Sequence, residues 1–460
     1  MTERMIGRKD EIRQLQEALN IAGSAIMVYG KRKVGKTTLI KHVGTARPEK
    51  FIYYECVRGT LQDNLRSLCG ELSRQGVMPA GAAMEDIRDV FRWLSASDVP
   101  LTIVVDEYPY LKVMEKADYI DSLFQSVIDQ FLGKNRLILS GSHIGMMKDM
   151  LSEGNALYGR FQTVLHLREL DYRVASNFYP ALSAYDKIGF FAVFGGSPYV
   201  LSFLNPEKSL AENIQVMMLN ENHPVFLYLE KLLLSDMGIS TQMERILAAL
   251  KNGKKHFSEI ERITDPGRSG NLTKYIRVLQ RLEIVSQNIP INEEGNSKKA
   301  TYEINDNPLR FYYTYIRDRK SALMMLGAEA FYREYIHPTL RDFIARRFEE
   351  VCRAYFSLQA KAGNLPGLRG IGTFYYDDPV NRKNGEFDVA LQFPASWQIW
   401  EAKYMKNPLT LDEIHREVAQ IRAIPLPHVE KMGFISASGF AHPEDGLLFL
   451  TGKELYEANP

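Results

Sequence analysis

The chain's 460 residues exceed what one hydrophobic core can organise, so about two to four domains are expected. Apolar residues at 45% and charged residues at 25% exclude a disordered or membrane-embedded chain, and a net charge of +1 excludes a chain-wide affinity for polyanions. Cys56, Cys69 and Cys352 fall at no metal-ligand spacing; with no apolar leader in Met1-Thr2-Glu3-Arg4-Met5 and no run of about eighteen apolar residues, a cytoplasmic protein without a membrane partner is expected.

In chain order, residues 8–20 read as a helix, 25–30 as a strand, 36–44 as a helix, 51–55 as a strand and 61–75 as a helix. A strand at 101–106, a helix at 118–132 and strands at 136–140 and 163–167 follow. That alternation predicts parallel βαβ units. The apolar run Ala25-Ile26-Met27-Val28-Tyr29 leads into Gly30-Lys31-Arg32-Lys33-Val34-Gly35-Lys36-Thr37-Thr38. This is G-x-x-x-x-G-K-[ST], placed after a strand and before a helix, the mark of an α/β P-loop NTPase. Its glycines let the backbone from Gly30 to Gly35 curl around phosphate oxygens. Lys36 would reach the β/γ-phosphates of ATP, Thr37 would hold Mg²⁺ through its hydroxyl, and Thr38 sits in the first helical turn, whose positive end faces the phosphates.

Leu101-Thr102-Ile103-Val104-Val105 is too apolar to alternate and reads as a buried parallel strand ending in Asp106 and Glu107. Asp106 suits the Mg²⁺-holding acid, and Glu107 suits the base that orients and deprotonates water. A loop that only binds nucleotide has no need of that second acid, so hydrolysis is expected. The strand run Asn135-Arg136-Leu137-Ile138-Leu139-Ser140-Gly141-Ser142 ends in small polar residues; strand ends converge on the ligand crevice, which places Ser140 and Ser142 near the γ-phosphate. Ordinary turn serines would look the same.

Together, residues 1 to about 235 resemble the ATPase domain of the AAA+/STAND group. The resemblance is to a prokaryotic, archaeal-type family in which such an ATPase carries a C-terminal nuclease-like domain of undefined function. It implies an entry motif at Ile6-Gly7-Arg8 and Glu11, covering the adenine, and a Tyr-Gly-Arg element at Tyr158-Gly159-Arg160. It also implies a Gly-Gly-x-Pro turn at Gly195-Gly196-Ser197-Pro198 in a helical lid. Arg160 would stabilise charge on the transferring phosphate, in its own site or in a neighbour's, the latter requiring a homo-oligomer.

Residues 171–235 read as almost wholly helical, broken at Pro180, Pro198, Pro206 and Pro224. Helices at 241–250, 257–262 and 270–282 come next, then a hairpin of 284–289 and 301–304 with a polar tip at Asn292-Glu293-Glu294-Gly295-Asn296. This order is a winged helix-turn-helix, whose third helix enters the DNA major groove while the wing contacts the backbone. Between 241 and 320 there are 15 Lys and Arg against 10 Asp and Glu. Lys274, Arg277, Arg281, Lys298 and Lys299 would face DNA. A protein-interaction module reads the same way.

In the last third, Gly385-Glu386-Phe387-Asp388-Val389-Ala390-Leu391 and Trp397-Gln398-Ile399-Trp400-Glu401-Ala402-Lys403 read as a hairpin. Alternation puts Glu401 and Lys403 on one face and brings Asp388 beside them, the D…ExK constellation of restriction-endonuclease-like folds. Asp388 and Glu401 would bind Mg²⁺ while Lys403 helps activate water. A helix at 338–356 offers Glu349 and Glu350 as a further acid, and the family resemblance favours Glu349. A helix at 412–424 and a strand at 432–436 complete an α-β-β-α-β core.

The expected domains are thus a P-loop core at 1–170, a helical lid at 171–238, a winged helix at 239–320 and an α/β restriction-endonuclease-like domain at 321–460. The leading expectation is a DNA-associated ATPase with Mg²⁺-dependent cleavage. The rival is an ATP-gated switch whose last two domains dock protein partners and cut nothing.

Overall fold

The computed structural model describes residues 5–457 apart from 97, 98, 232–239, 265–268, 379–382, 423, 425–427 and 443. Met1–Arg4 and the 238/239 boundary therefore lie outside the described residues, as does residue 423 in the expected extension of a helix to 424. The chain divides into two compact units, one up to Leu170 and one from Asp171.

The first unit is a sheet of five parallel strands: β1 (Ala25–Tyr29), β2 (Lys50–Glu55), β3 (Leu101–Asp106), β4 (Arg136–Gly141) and β5 (Thr163–His166). Their spatial order is β2-β3-β4-β1-β5, so β4 lies between the strand feeding the glycine loop and the strand ending in Asp106. β1, β3 and β4 are buried at every residue, which accounts for their unbroken apolar runs. Successive side chains feed opposite layers. Ile26, Val28, Val104 and Ile138 pack on the helices Lys9–Asn20 and Lys36–Gly44, whereas Met27, Ile103 and Leu137 pack on Leu61–Arg74, Ile87–Ser95 and Ala117–Ser126. The expected helix at 118–132 becomes α-helix to Ser126 and a wider turn over Val127–Phe131. The parallel α/β sheet expected from the sequence is present.

The second unit opens with short helices. Ser183 caps Ala184–Phe194, Gly195 at a positive φ of 65° ends it, and Pro198 starts Pro198–Leu201. Helices Thr241–Ala249, Phe257–Thr264 and Ser269–Arg281 follow, with a small antiparallel sheet. Its strands are β6 (Lys255–His256), β7 (Val285–Asn288) and β8 (Thr301–Ile304), in the order β6-β8-β7. β6, a two-residue strand, has no pattern of its own in the sequence.

After the long helix His337–Lys361 comes a mixed sheet, β9 (Gly370–Asp378), β10 (Lys383–Gln392), β11 (Trp397–Lys403), β12 (Val429–Ser436) and β13 (Leu448–Thr451). The order is β13-β12-β11-β10-β9; β10 runs antiparallel to both β9 and β11, and β11, β12 and β13 run parallel, with helix Leu411–Arg422 between β11 and β12. The α-β-β-α-β expectation thus needs correction, because β9 precedes the expected hairpin and β13 follows the last strand. β9 escapes a sequence reading because it carries glycines. A Cβ at Gly370 would meet Ile291 at 2.5 Å, and one at Gly372 would meet it at 3.1 Å, so Ile291 packs directly on the bare backbone. Among the described residues no helix is long and apolar enough to cross a membrane.

Candidate functional site: a nucleotide cradle and an acid cluster

The glycine loop is set by backbone constraints at both ends. A Cβ on Gly30 would lie 2.1 Å from the Leu167 carbonyl oxygen, and Gly35 starts the following helix at φ 95°. Lys36, buried, donates from Nζ to the carbonyls of Gly30 and Lys31, each at 3.0 Å. Burial pulls its pKa down while Glu107 and Asp106 push the other way. An ammonium held by two neutral carbonyls gains from an incoming phosphate. Thr37 donates from Oγ1 to Asp106 Oδ2 at 3.0 Å, so the loop hydroxyl and the β3 carboxylate converge. Hard oxygens from one hydroxyl and one carboxylate fit Mg²⁺, which ordinarily takes few protein ligands and completes its shell with phosphate and water. Among the described residues no group of three or more Asp, Glu, His or Cys side chains is disposed as a metal cage.

A residue with no signal in the sequence joins this pair. Tyr53 of β2 donates its hydroxyl to Asp106 Oδ2, and the Tyr53 hydroxyl oxygen lies 3.4 Å from Thr37 Oγ1. Burial, then the nearby Asp106 charge, raise the Tyr53 pKa, so it stays a proton donor. Lys41 sits over its ring at 4.2 Å.

Glu107 follows Asp106 in a left-handed conformation, φ 49° and ψ 41°, an uncommon state for a non-glycine residue that turns its side chain away from the strand direction. Ser142 donates to Glu107 Oε2 from Oγ at 2.8 Å and from its backbone N–H at 3.3 Å. The Ser142 expectation therefore takes a specific form, an orienting contact to Glu107. Ser140, by contrast, is fully buried within β4, and its Oγ has no hydrogen-bond partner among the described residues.

Gly7 and Arg8 both adopt positive φ, which starts the first helix. Arg8 pairs with Glu11 at 2.9 Å and donates to the carbonyls of Val34 at 3.0 Å and Arg168 at 2.5 Å. Its guanidinium thus braces the glycine loop from behind. Lys31 pairs with Glu169 at 3.7 Å, and Arg32 donates to the Tyr110 hydroxyl. Lys33 takes the left-handed turn inside the loop. The role expected for Arg160 is not assembled here: its Nε and Nη2 grip Asp129 at 3.0–3.1 Å. A bidentate fork satisfies the guanidinium locally.

In the second unit, Val389 pairs with Trp400, which places Asp388 opposite Glu401 on one face of β10 and β11. Asp388 Oδ2 accepts from the Ala402 N–H at 2.9 Å, and Lys403 Nζ lies 3.6 Å from Glu401 and 2.9 Å from Glu417. From the helix His337–Lys361, Arg353 donates to the Asp388 carbonyl at 2.6 Å. The two neighbouring helix acids separate. Glu350 pairs with Arg347 at 2.7 Å, while Glu349 lies 3.9 Å from Arg353 and feels the Asp388 charge. Burial and then Asp388 push Glu401 up to about 8 and Glu349 up to about 7. Asp388 too is raised by burial, against the Ala402 N–H.

Carboxyls raised in the fold hold protons that the unfolded chain has released above about pH 4.5, so the metal-free protein loses stability as pH climbs toward about 8. Asp388→Asn keeps the acceptor for Ala402 and removes one facing charge. It is expected to raise the melting temperature at pH 8 by about 2–4 °C and to change it little at pH 5. Scanning calorimetry at both values checks this; equal shifts would show that charge repulsion is not the cause.

On the helix Ser269–Arg281, Leu272, Ile276 and Leu279 are buried, whereas Lys274, Arg277 and Arg281 are exposed and line one shallow groove. The expected wing behaves differently. Asn292 exchanges two hydrogen bonds with the Tyr375 backbone of β9, at 2.7 and 2.9 Å, and Lys299 stands 3.5 Å over the Tyr375 ring. Lys299 is thus occupied within the protein, against the expectation that it faces phosphates.

These geometries define a P-loop ATPase core. The first comparison agrees: residues 5–204 match the model of an ATPase domain predominantly from Archaea. Residues 312–417 match a model of archaeal and bacterial proteins of unknown function. An uncharacterized protein of Methanocaldococcus jannaschii is 29% identical over 376 residues, 78% of this chain and 79% of that one. The Walker-type ATPase of Pyrococcus abyssi, PABY2304, is similar at TM-score 0.50 and 18% identity, over 67% of this chain and 96% of its own, a likeness of fold. The ORC2 protein of Aeropyrum pernix, solved in ADPNP–ADP complexes, reaches TM-score 0.47 and 13% identity over 71% of this chain and 96% of its own. The chain therefore carries an archaeal-type P-loop ATPase domain and, C-terminal to it, a domain whose family has no assigned function.

Proposed function

We propose that this protein binds and hydrolyses ATP with Mg²⁺ and that its nucleotide state governs engagement of DNA by the second unit. The carrying observation is the convergence of Lys36, Thr37 and Asp106 at the head of the loop, with Ser142 aiming Glu107 beside them. Lys36 would hold the β/γ-phosphates, Thr37 and Asp106 would hold the metal, and Glu107 would take the proton from the attacking water at Oε1 or Oε2. Bound Mg²⁺ supplies charge neutralisation at the phosphates.

The helix–hairpin segment 241–304 is read as a winged helix that presents Lys274, Arg277 and Arg281 to DNA. Asp388 and Glu401 are read as the metal-holding acids of an endonuclease-like site, with Glu349 on the neighbouring helix and Lys403 beside the attacked phosphate. Purified protein with ATP, Mg²⁺ and mixed DNA substrates, followed for both phosphate release and strand breaks, tests the reading. Phosphate release is expected with the wild type, and strand breaks are expected to disappear in Asp388→Asn. Failure to release phosphate under any of these conditions would overturn the ATPase assignment.

A second reading, an ATP-gated switch that docks protein partners, is favoured by one observation. The segment that a DNA-binding wing would present is already fastened to β9 through Asn292 and Lys299. Salt dependence separates the two, because phosphate contacts release counterions and apolar docking does not.

A further inference from the structure

Three donors converge on the Asp106 carboxylate, and they are not equivalent. Thr37 Oγ1 and the Tyr53 hydroxyl both donate to Oδ2, while the Glu107 N–H donates to Oδ1 at 3.0 Å. An ionised carboxylate offers about four acceptor sites, two on each oxygen, so Oδ2 is filled. Thr37 is itself a metal-holding group in the reading above, and the Glu107 N–H is tied to Asp106 by the chain. Tyr53 is the donor that comes from elsewhere. Its hydroxyl oxygen also lies 3.4 Å from Thr37 Oγ1, so the phenol stands against both groups at once.

The phenol is held there from its ring. Tyr53 pairs with Val104 in the β2–β3 ladder, and its half-buried ring packs on the apolar layer that includes Ile40 and Val43 of the helix Lys36–Gly44. Lys41 of the same helix stands over the ring at 4.2 Å. The helix that follows the glycine loop thus carries the ring whose hydroxyl closes Asp106. β2 lies at the edge of the sheet, paired with β3, so the end of this strand can shift without parting the strands at the sheet centre.

We infer that the Tyr53 hydroxyl competes with the hydration shell of the nucleotide's metal for Asp106 Oδ2, so that Tyr53 sets how strongly nucleotide affinity depends on metal. The inference rests on the reading of Thr37 and Asp106 as metal-holding groups given above. Mg²⁺ keeps several of its waters when bound, and those waters donate to nearby carboxylates. The oxygen beside Thr37 is the one they need, and the phenol occupies it. Tyr53 is a positioning residue that acts through Asp106. Nucleotide without metal engages Lys36 and the loop and leaves the phenol where it is.

The test titrates the full chain with methylanthraniloyl-ADP by fluorescence anisotropy, once with Mg²⁺ and once with EDTA, so that no turnover enters. Tyr53→Phe keeps the ring and its contacts with Lys41 and the apolar layer, and removes the hydroxyl alone. It is expected to bind the nucleotide in Mg²⁺ at least about fivefold tighter than wild type, because a hydrogen bond to a charged group no longer has to be broken. In EDTA the two should agree within about twofold. Tyr53→Met serves where Phe disturbs folding, and should shift affinity in the same direction. Equal or weaker affinity of Tyr53→Phe in Mg²⁺, or the same tightening in EDTA, would overturn the role of Tyr53. If Asp106→Asn still removes the Mg²⁺-dependent part of the affinity in that case, the metal reading stands without it. If Asp106→Asn leaves the Mg²⁺ dependence unchanged in the wild-type and Tyr53→Phe backgrounds alike, the metal reading itself falls, and the inference with it.

Discussion

Glu107→Gln is expected to bind ATP with near wild-type affinity and to hydrolyse it about 10²–10⁴-fold more slowly, the contribution of a positioned general base. The substitution preserves length and leaves an amide oxygen to accept from Ser142, whose hydroxyl now lies 2.8 Å from Glu107. Only the basicity is lost. Lys36→Ala should fail at the earlier step, because the cation held by the Gly30 and Lys31 carbonyls is the one placed to meet the β/γ-phosphates. Fluorescent-nucleotide titration and phosphate release, run on both variants, separate binding from turnover. Wild-type turnover by Glu107→Gln would remove Glu107 from the chemistry, and Asp106, held by Thr37 and Tyr53, has no free geometry of the same kind to replace it.

The second large effect concerns DNA. Reversing Lys274 and Arg277 together to Glu places two repulsive charges on the exposed face of helix Ser269–Arg281, whose opposite side is buried through Leu272, Ile276 and Leu279. DNA affinity is expected to fall by about 10²-fold or more at low salt, and the slope of log affinity against log salt by about two. The fold and ATP turnover of the free protein should be unaffected, since neither side chain supports the core. Fluorescence anisotropy with duplex and single-stranded DNA over a salt series reads both quantities. Unchanged binding would transfer the helix–hairpin segment to the protein-docking reading.

Sequence reading was strongest where chemistry is local. The glycine loop is a run of consecutive residues whose backbone conformation depends on its own glycines, so G-x-x-x-x-G-K-T could be read without knowing the sheet. Asp106, Glu107 and Ser142 were legible because buried parallel strands announce themselves by apolar runs and end at one edge. The facing of Asp388 and Glu401 needed only a hairpin and strand alternation.

Other features depend on which distant segments meet. Tyr53 is one aromatic in Phe51-Ile52-Tyr53-Tyr54; it reaches Asp106 because β2 lies beside β3 in the sheet order. The entry arginine reads as an adenine cover, yet Arg8 is consumed by the Val34 and Arg168 carbonyls, the second of them 160 residues away along the chain. Arg160 was placed by an acid in another helix, and the segment expected as a wing by a glycine-bearing edge strand that periodicity overlooks.

By itself, the sequence determined the parallel ATPase core, the phosphate loop with its two acids, and the residues that could assemble a D…ExK site. Only the tertiary structure decided that Ser142 aims Glu107, that Asp129 claims Arg160 and that Arg347 pairs with Glu350. The physical reason is range. Periodicity and loop chemistry act over a few residues, whereas the partner of a charged side chain is chosen by long-range packing, where burial makes pairing obligatory and leaves no mark on the neighbouring sequence.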